Sequence, residues 1–337
     1  MRILILGGTA FLSAATARQA LERGHQVTCL ARGTTARPPE GAMWVRGDRD
    51  GGPEAYEPIS DQDWDAVIDV AMQPGQVRHA LEALSGRTAH WTFVSTISVY
   101  ADDSVPAQDE SARLHEPLAG DRFTEMTDYG PAKVACENAV RAAVGERAHV
   151  CRAGLIAGPG DRSDRVGYWP ARFARGIGTD DRVLVPAVDD DTQLVDVDDL
   201  ASWLLDAAER GVAGTFNATG EPTPLPQVLG LAVRVAGHRG RTIAVDPQFL
   251  ADHGVGYWAG PDSLPLWVPG GEPGFGSRSI ASAREHGLRL RPLEETLARV
   301  LDYERSLGLD RDRWAGLGPA TEQQVLAAWR EASDLSS

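Results

Sequence analysis

The sequence predicts an α/β protein, a doubly wound parallel sheet followed by a small carboxyl-terminal lobe. Three observations carry this. The chain opens as strand, glycine turn, helix, strand. Short, continuously apolar runs then alternate with helical patterns as far as residue 152, the mark of parallel strands covered on both faces. Past that point Gly and Pro become denser, the elements shorten, and Trp169, Trp258, Trp267, Tyr168, Tyr257 and Phe249 concentrate the aromatics.

The elements follow in order. Residues 2–6 are apolar and run into Gly7-Gly8-Thr9, after which Leu12, Ala15, Ala20 and Leu21 trace a helical face ending at Gly24. Further strands fit residues 26–31, 43–46, 65–70, 90–95 and 148–152, and helices fit 74–84 and 131–144. In the second lobe helices fit 198–209, 225–236, 279–286, 292–306 and 321–332, the last starting with a capping box, Thr321-x-x-Gln324. The expected boundaries are 1–152 for the first domain and 153–337 for the second lobe, with segments near 190–220 returning to the first.

Composition excludes several classes. Lys plus Arg number 33 and Asp plus Glu 48, for a net charge of −15, which disfavours nucleic-acid partners. No apolar run approaches a membrane span or a signal segment, so a cytoplasmic protein without a membrane partner is expected. Cys29, Cys136 and Cys151 lack a C-x-x-C spacing and read as buried thiols, and the scattered eight histidines offer no metal site.

The turn Gly7-Gly8-Thr9-Ala10-Phe11-Leu12-Ser13 joins the first strand to the first helix, where a Rossmann-type fold binds a dinucleotide pyrophosphate. Gly7, Thr9, Ala10, Phe11 and Leu12 are the expected contacts; Ala10 and Ser13 stand where two further glycines are usual. At the tip of the second strand an acidic residue would bind the ribose of NAD. Here Ala31 is followed by Arg32, whose guanidinium suits a 2′-phosphate, so NADP is preferred and NAD is the alternative. Arg37 could add a second charge, and Asp48 after the third strand could meet the adenine amino group. Val70 and Ala71, at the end of the fourth strand, are assigned to the cofactor and Met72 beside them to the substrate.

Of the 33 basic residues only Lys133 is lysine. A chain that uses Arg throughout keeps Lys where an ammonium is needed that a planar guanidinium cannot imitate. Lys133 lies four residues after Tyr129, on one helical face, so its charge favours the phenolate and makes Tyr129 a usable proton donor and acceptor. A third hydroxyl is expected from the end of the strand at 90–95: Thr96 to polarise the reacting oxygen, with Ser95 beside it touching the cofactor.

Together these segments resemble the extended short-chain dehydrogenase/reductase superfamily, in its NAD-dependent epimerase/dehydratase branch. The matches are Gly7-Gly8-Thr9-x-Phe11-Leu12, Gly47-Asp48, Val94 to Tyr100, Tyr129-Gly130-x-x-Lys133 with Glu137, Arg152-x-Gly154-x-Ile156-x-Gly158-Pro159, Val195-Asp196-Val197-x-Asp199-Leu200-Ala201 and Phe216-Asn217-x-x-Gly220. The resemblance implies a Ser/Thr–Tyr–Lys trio at Thr96, Tyr129 and Lys133, a second lobe that binds substrate, and a homodimer through the helix at 131–144. Leu155 stands near the position where nucleotide-sugar epimerases carry an asparagine for the substrate phosphates. The segment Arg152 to Ile156 looks more like reductase relatives acting on small apolar or aromatic molecules. Leu155, Tyr168 and Trp258 join Met72 and Thr96 as expected substrate contacts.

The expected function is therefore an NADP- or NAD-dependent oxidoreductase acting on a carbonyl or alcohol carbon of a small molecule. The alternatives are an epimerase/dehydratase acting on a sugar or sugar nucleotide, or, in another class, a non-catalytic nucleotide sensor or a relative of the chloroplast RNA-binding members. Six Asp between 189 and 199 lack a calcium-loop spacing and read as a solvated turn with a helix cap at Asp198. The long acidic connection 102–128 is expected to border the active-site mouth.

Overall fold

The computed structural model describes residues 1–34, 36–175, 181–268, 270 and 272–334. The chain opens with β1 (Arg2–Leu6), α1 (Phe11–Glu22), β2 (Gln26–Ala31), β3 (Met43–Arg46), the single turn α2 (Glu57–Ser60), β4 (Trp64–Asp69), α3 (Pro74–Leu84) and β5 (Thr88–Thr96). After the connection come α4 (Tyr129–Val144), β6 (Ala148–Ala153), β7 (Leu155–Ala157), α5 (Arg165–Arg175), β8 (Arg182–Pro186), β9 (Asp191–Thr192), β10 (Leu194–Asp196), α6 (Val197–Arg210), β11 (Gly214–Ala218) and α7 (Leu225–Ala236).

Seven strands form one parallel sheet in the order β11-β6-β5-β4-β1-β2-β3. Ile3, Ile5, Cys29 and Ile68 turn to the face covered by α1 and α6; Leu4, Leu6, Val67 and Phe93 turn to the face covered by α3 and α4. Burial on both faces is why these strands read as unbroken apolar runs. The order reverses between β1 and β4, and the carboxyl ends of the strands there open the crevice in which such folds bind ligands.

A third apolar cluster is built from α5, α7, β8 and the helix Leu293–Leu307, with Trp169, Phe173 and Leu229 inside it. Leu194 joins that cluster, and residues 195–218 do not. α6 packs on α1, and β11 adds to the sheet beside β6. Ala283 and Leu288 pack into the same part of the first core.

Two helix starts differ from expectation. Thr321 lies inside the helix Pro319–Asp334, which begins two residues before the supposed box. The cap of α6 is Asp196, not Asp198: its carboxylate accepts the Asp198 N–H at 2.8 Å and also pairs with Arg299. Helix α5 was not foreseen, because Pro170 sits within it. The three thiols are free and buried. No helix of the described residues is long and apolar enough to cross a membrane.

The sheet also buries a titratable pair. His90 and His149 are 5% and 0% exposed, and burial pushes their imidazoles down to about 4 and about 3. His149 packs against Trp203 and Phe216 with one ring nitrogen unpartnered. The folded-state values lie below the unfolded one, so the neutral rings stabilise the fold above about pH 6.5 and that contribution is lost on acidification. Between pH 6.5 and 5, stability is expected to fall by up to about 2 kcal/mol per histidine. Thermal melts across this range check it, and His149→Phe should flatten the dependence.

Candidate active site

The turn after β1 is shaped by two glycines at positive φ, Gly7 at 139° and Gly8 at 93°. A Cβ on Gly8 would run into Cys29 Sγ, and one on Gly7 would lie 3.0 Å from Val70. Ala10 is the extended N-cap of α1 and supplies no side-chain cap, and the first turn holds no acid. The free N–H groups of α1 therefore remain available to an anion. Ser13, in place of a glycine, is 5% exposed and spends its hydroxyl on Ala10 O at 2.8 Å. Thr9 is half-buried; Phe11, at φ 33°, lies close to Gly160 across the crevice; Leu12 is buried in the core, so what it can offer a ligand is backbone. This cradle fits a dinucleotide pyrophosphate.

At the tip of β2 the Arg32 side chain is 56% exposed, and its nearest carboxylate, on Asp50, is 3.9 Å away. Asp48 caps the turn that follows it, accepting the Asp50 N–H at 3.0 Å. The deeper polar feature here is an ion pair that sequence reasoning missed. Arg49 is bidentate to the fully buried Asp69 at 2.8 and 3.1 Å, with Tyr56 bonded to the same guanidinium. Asp69 Oδ1 also accepts the Ala71 N–H at 2.9 Å, so the pair sets the path of Val70-Ala71-Met72. Its signal was one charge inside an apolar run, Val67-Ile68-Asp69-Val70-Ala71; Arg49, between Asp48 and Asp50, carried none.

Lys133 is 2% exposed. Its ammonium donates to Ala71 O at 2.8 Å and Val94 O at 2.6 Å and lies 4.4 Å from the Phe93 ring centre. An ammonium has three donors, so one N–H remains for a ligand. Tyr129 begins α4, one turn before it. Gly130 is required there: a Cβ would collide with Ser98 O, and the helix start would be pushed away from the end of β5. Thr96 ends β5 and, with Tyr129, lines a cavity of about 430 Å³.

Met72, Leu155 and Trp258 line the same cavity. Two expected contacts do not. Ser95 alternates to the other face of β5 and donates to Glu137 Oε1 at 2.6 Å, inside the buried Glu137–Arg152 ion pair, so it is not offered to the cofactor. Tyr168 is 3% exposed in the second-lobe core, its ring against Trp169 and Gly316, and so lies away from Thr96 and Tyr129. Residues that sequence reasoning passed over join the wall instead: Arg165, Asp190, Asp191, Trp267 and Phe275. The connection 102–128 reaches the cavity through Met126. Buried Arg278 ties that connection down, through Gln108 at 2.6 Å, Asp102 O at 2.9 Å and Asp103.

Arg165 stands in the first turn of α5 with its guanidinium 4.9 Å from the Trp258 ring centre. Burial lowers its affinity for a proton, and the charges of Asp161 and Tyr129 offset this only in part. Among the described residues no group of His, Cys, Asp and Glu could hold a metal ion.

The chain matches the family model of the NAD dependent epimerase/dehydratase family over residues 3–84 and 76–218. Among curated proteins none matches. Among solved structures, a candidate epimerase from Burkholderia cenocepacia J2315 superimposes with a TM-score of 0.71 at 23% identity, over 90% of this chain and 98% of that one. The UDP-glucose 4-epimerase of Thermotoga maritima, solved with UDP-glucose, gives 0.66 at 19%, over 91% and 99%. The UDP-glucuronic acid 4-epimerase of Bacillus cereus, solved with NAD, gives 0.65 at 15%, over 91% and 99%. At these identities the likeness to solved structures shows the fold. The family match covers well over half of the chain, which therefore belongs to the NAD dependent epimerase/dehydratase family and is a nicotinamide-dependent enzyme of it.

Proposed function

We propose that the protein is an oxidoreductase that uses NADP in preference to NAD and acts on a carbonyl or alcohol carbon of a small molecule. The observation that carries this is the meeting of Thr96 and Tyr129 on one cavity, with the Lys133 ammonium buried one helical turn beyond the phenol. A dinucleotide whose pyrophosphate lay on the β1–α1 turn would supply the hydride chemistry through its nicotinamide. Thr96, whose hydroxyl pairs with Ser98 Oγ at 3.2 Å, redirects that O–H to the reacting oxygen. Tyr129 gives that oxygen its proton in reduction and takes it in oxidation. The remaining Lys133 N–H holds a hydroxyl of the ligand, and its charge compensates the negative charge that develops on the Tyr129 oxygen.

The preference for NADP rests on Arg32, which is exposed and makes no close ion pair. Separate titrations with NADPH and NADH, followed by nicotinamide fluorescence, test it. Arg32→Ala should weaken NADPH about 10- to 100-fold, the worth of a charge-assisted hydrogen bond, and leave NADH unchanged. Equal affinity for both cofactors, unaffected by the substitution, would sink the preference. Binding of neither would sink the enzyme reading itself.

A second reading is favoured by the family match and by relatives solved with sugar nucleotides: an epimerase or dehydratase that returns the hydride to the same substrate. Stoichiometric appearance of oxidised or reduced free cofactor during turnover separates net oxidoreduction from this.

A further inference from the structure

We infer that the cavity takes a phosphate-free, largely apolar alcohol or ketone carrying a further oxygen acceptor, and not a nucleotide sugar. This rests on the hydride-transfer reading of the same site. The walls are apolar: Leu155, Leu225, Trp258, Trp267 and Phe275 enclose the space next to Thr96 and Tyr129, and Met72 and Met126 stand exposed at its rim. Exposed methionines at a pocket mouth suit an apolar ligand and adapt to its shape.

The charges exclude a diphosphate. Asp190, Asp191 and Glu272 line the cavity, and Arg165 is the one cation among the described lining residues. Its guanidinium lies over the Trp258 ring, one cation against three carboxylates. None of the three carboxylates makes an ion pair with a described residue. At the helix N-termini the first N–H groups are already used. At α7 the Leu225 N–H is bonded to Asp190 O at 2.9 Å, and Pro226 has none to offer. At α5 the Arg165 N–H faces Ser163 Oγ at 3.4 Å.

Two donors of lining residues have no partner. The indole N–H of Trp267, a residue 4% exposed, and the Nε of Arg165 are buried without hydrogen-bond partners. Buried donors left unmade are unfavourable, and a ligand ether, hydroxyl or carbonyl oxygen satisfies them.

The test is calorimetric titration of the protein saturated with its nicotinamide cofactor, using 6-methoxy-1-tetralone, UDP-glucose and UDP as probes. The tetralone is expected to bind at least tenfold more tightly than either nucleotide. Trp258→Ala should weaken it at least tenfold, while cofactor affinity, which also reports folding, stays the same; Phe275→Ala provides a second variant of the same wall. UDP-glucose binding as tightly as the tetralone, or a tetralone affinity indifferent to both substitutions, would overturn the inference, as would binding of none of the probes at millimolar concentration. Failure of the hydride-transfer reading shows separately, as absence of cofactor binding before any probe is added.

Discussion

Tyr129→Phe should lower kcat by about 10²- to 10⁴-fold, the usual worth of a positioned acid/base, with nicotinamide affinity changed little. The change removes one hydroxyl from a half-buried side chain at the start of α4 and leaves the ring's edge-on packing against Phe123, at 5.9 Å, intact. Lys133→Met should lose activity and cofactor affinity together. Lys133→Arg should not rescue either. The ammonium bridges Ala71 O and Val94 O, in a space only 2% exposed, and a longer planar guanidinium cannot make that pair of bonds and keep a third donor in the same place. Single-turnover kinetics separate the two effects. A Tyr129→Phe protein that retains more than a tenth of wild-type kcat would remove Tyr129 from the chemistry.

This lysine shows what the sequence could reveal. One Lys among 33 basic residues, four places after a Tyr, singled out a side chain that the fold buries against two carbonyl oxygens, and the parallel sheet was legible because both faces of each strand are buried. Ser95 shows the limit. Two adjacent hydroxyls at a strand end look equivalent in sequence, yet alternation sends Thr96 to the cavity and Ser95 to Glu137. Which of the two faces the crevice depends on register against β4 and β6, and pairing at that distance leaves no local mark. Tyr168 fails for a related reason: in a helix interrupted by Pro170, its direction is set by packing against residues some 150 positions away. The acids at 190 and 191 read as a solvated turn because the wall that shares their cavity, with Trp258, Trp267 and Phe275, is assembled only in the fold.

Arg152→Ala should destabilise the protein by about 3–5 kcal/mol, the cost of leaving a buried charge without its partner. Glu137 is 0% exposed. Burial alone would raise its carboxyl; hydrogen bonds and charge from Arg152, then Arg141 and Ser95, reverse this and hold it below the usual carboxylate range. Arg152 bonds both Glu137 oxygens, at 3.0 and 2.9 Å, and the Tyr100 hydroxyl at 2.9 Å; that hydroxyl in turn donates to Asn217 at 2.6 Å. The network thus ties α4, one turn beyond Lys133, to β5 beside Thr96 and to β6 and β11. Removing Arg152 leaves Arg141 as the remaining cation on Glu137, from a side chain 37% exposed, which cannot follow the carboxylate into the core. Replacing both Glu137 and Arg152 by leucine should cost less than the single substitution, because no orphaned charge remains. Denaturant midpoints of the two singles and the double measure this. A double variant as unstable as the sum of the singles would mean that the pair acts through packing and not through charge.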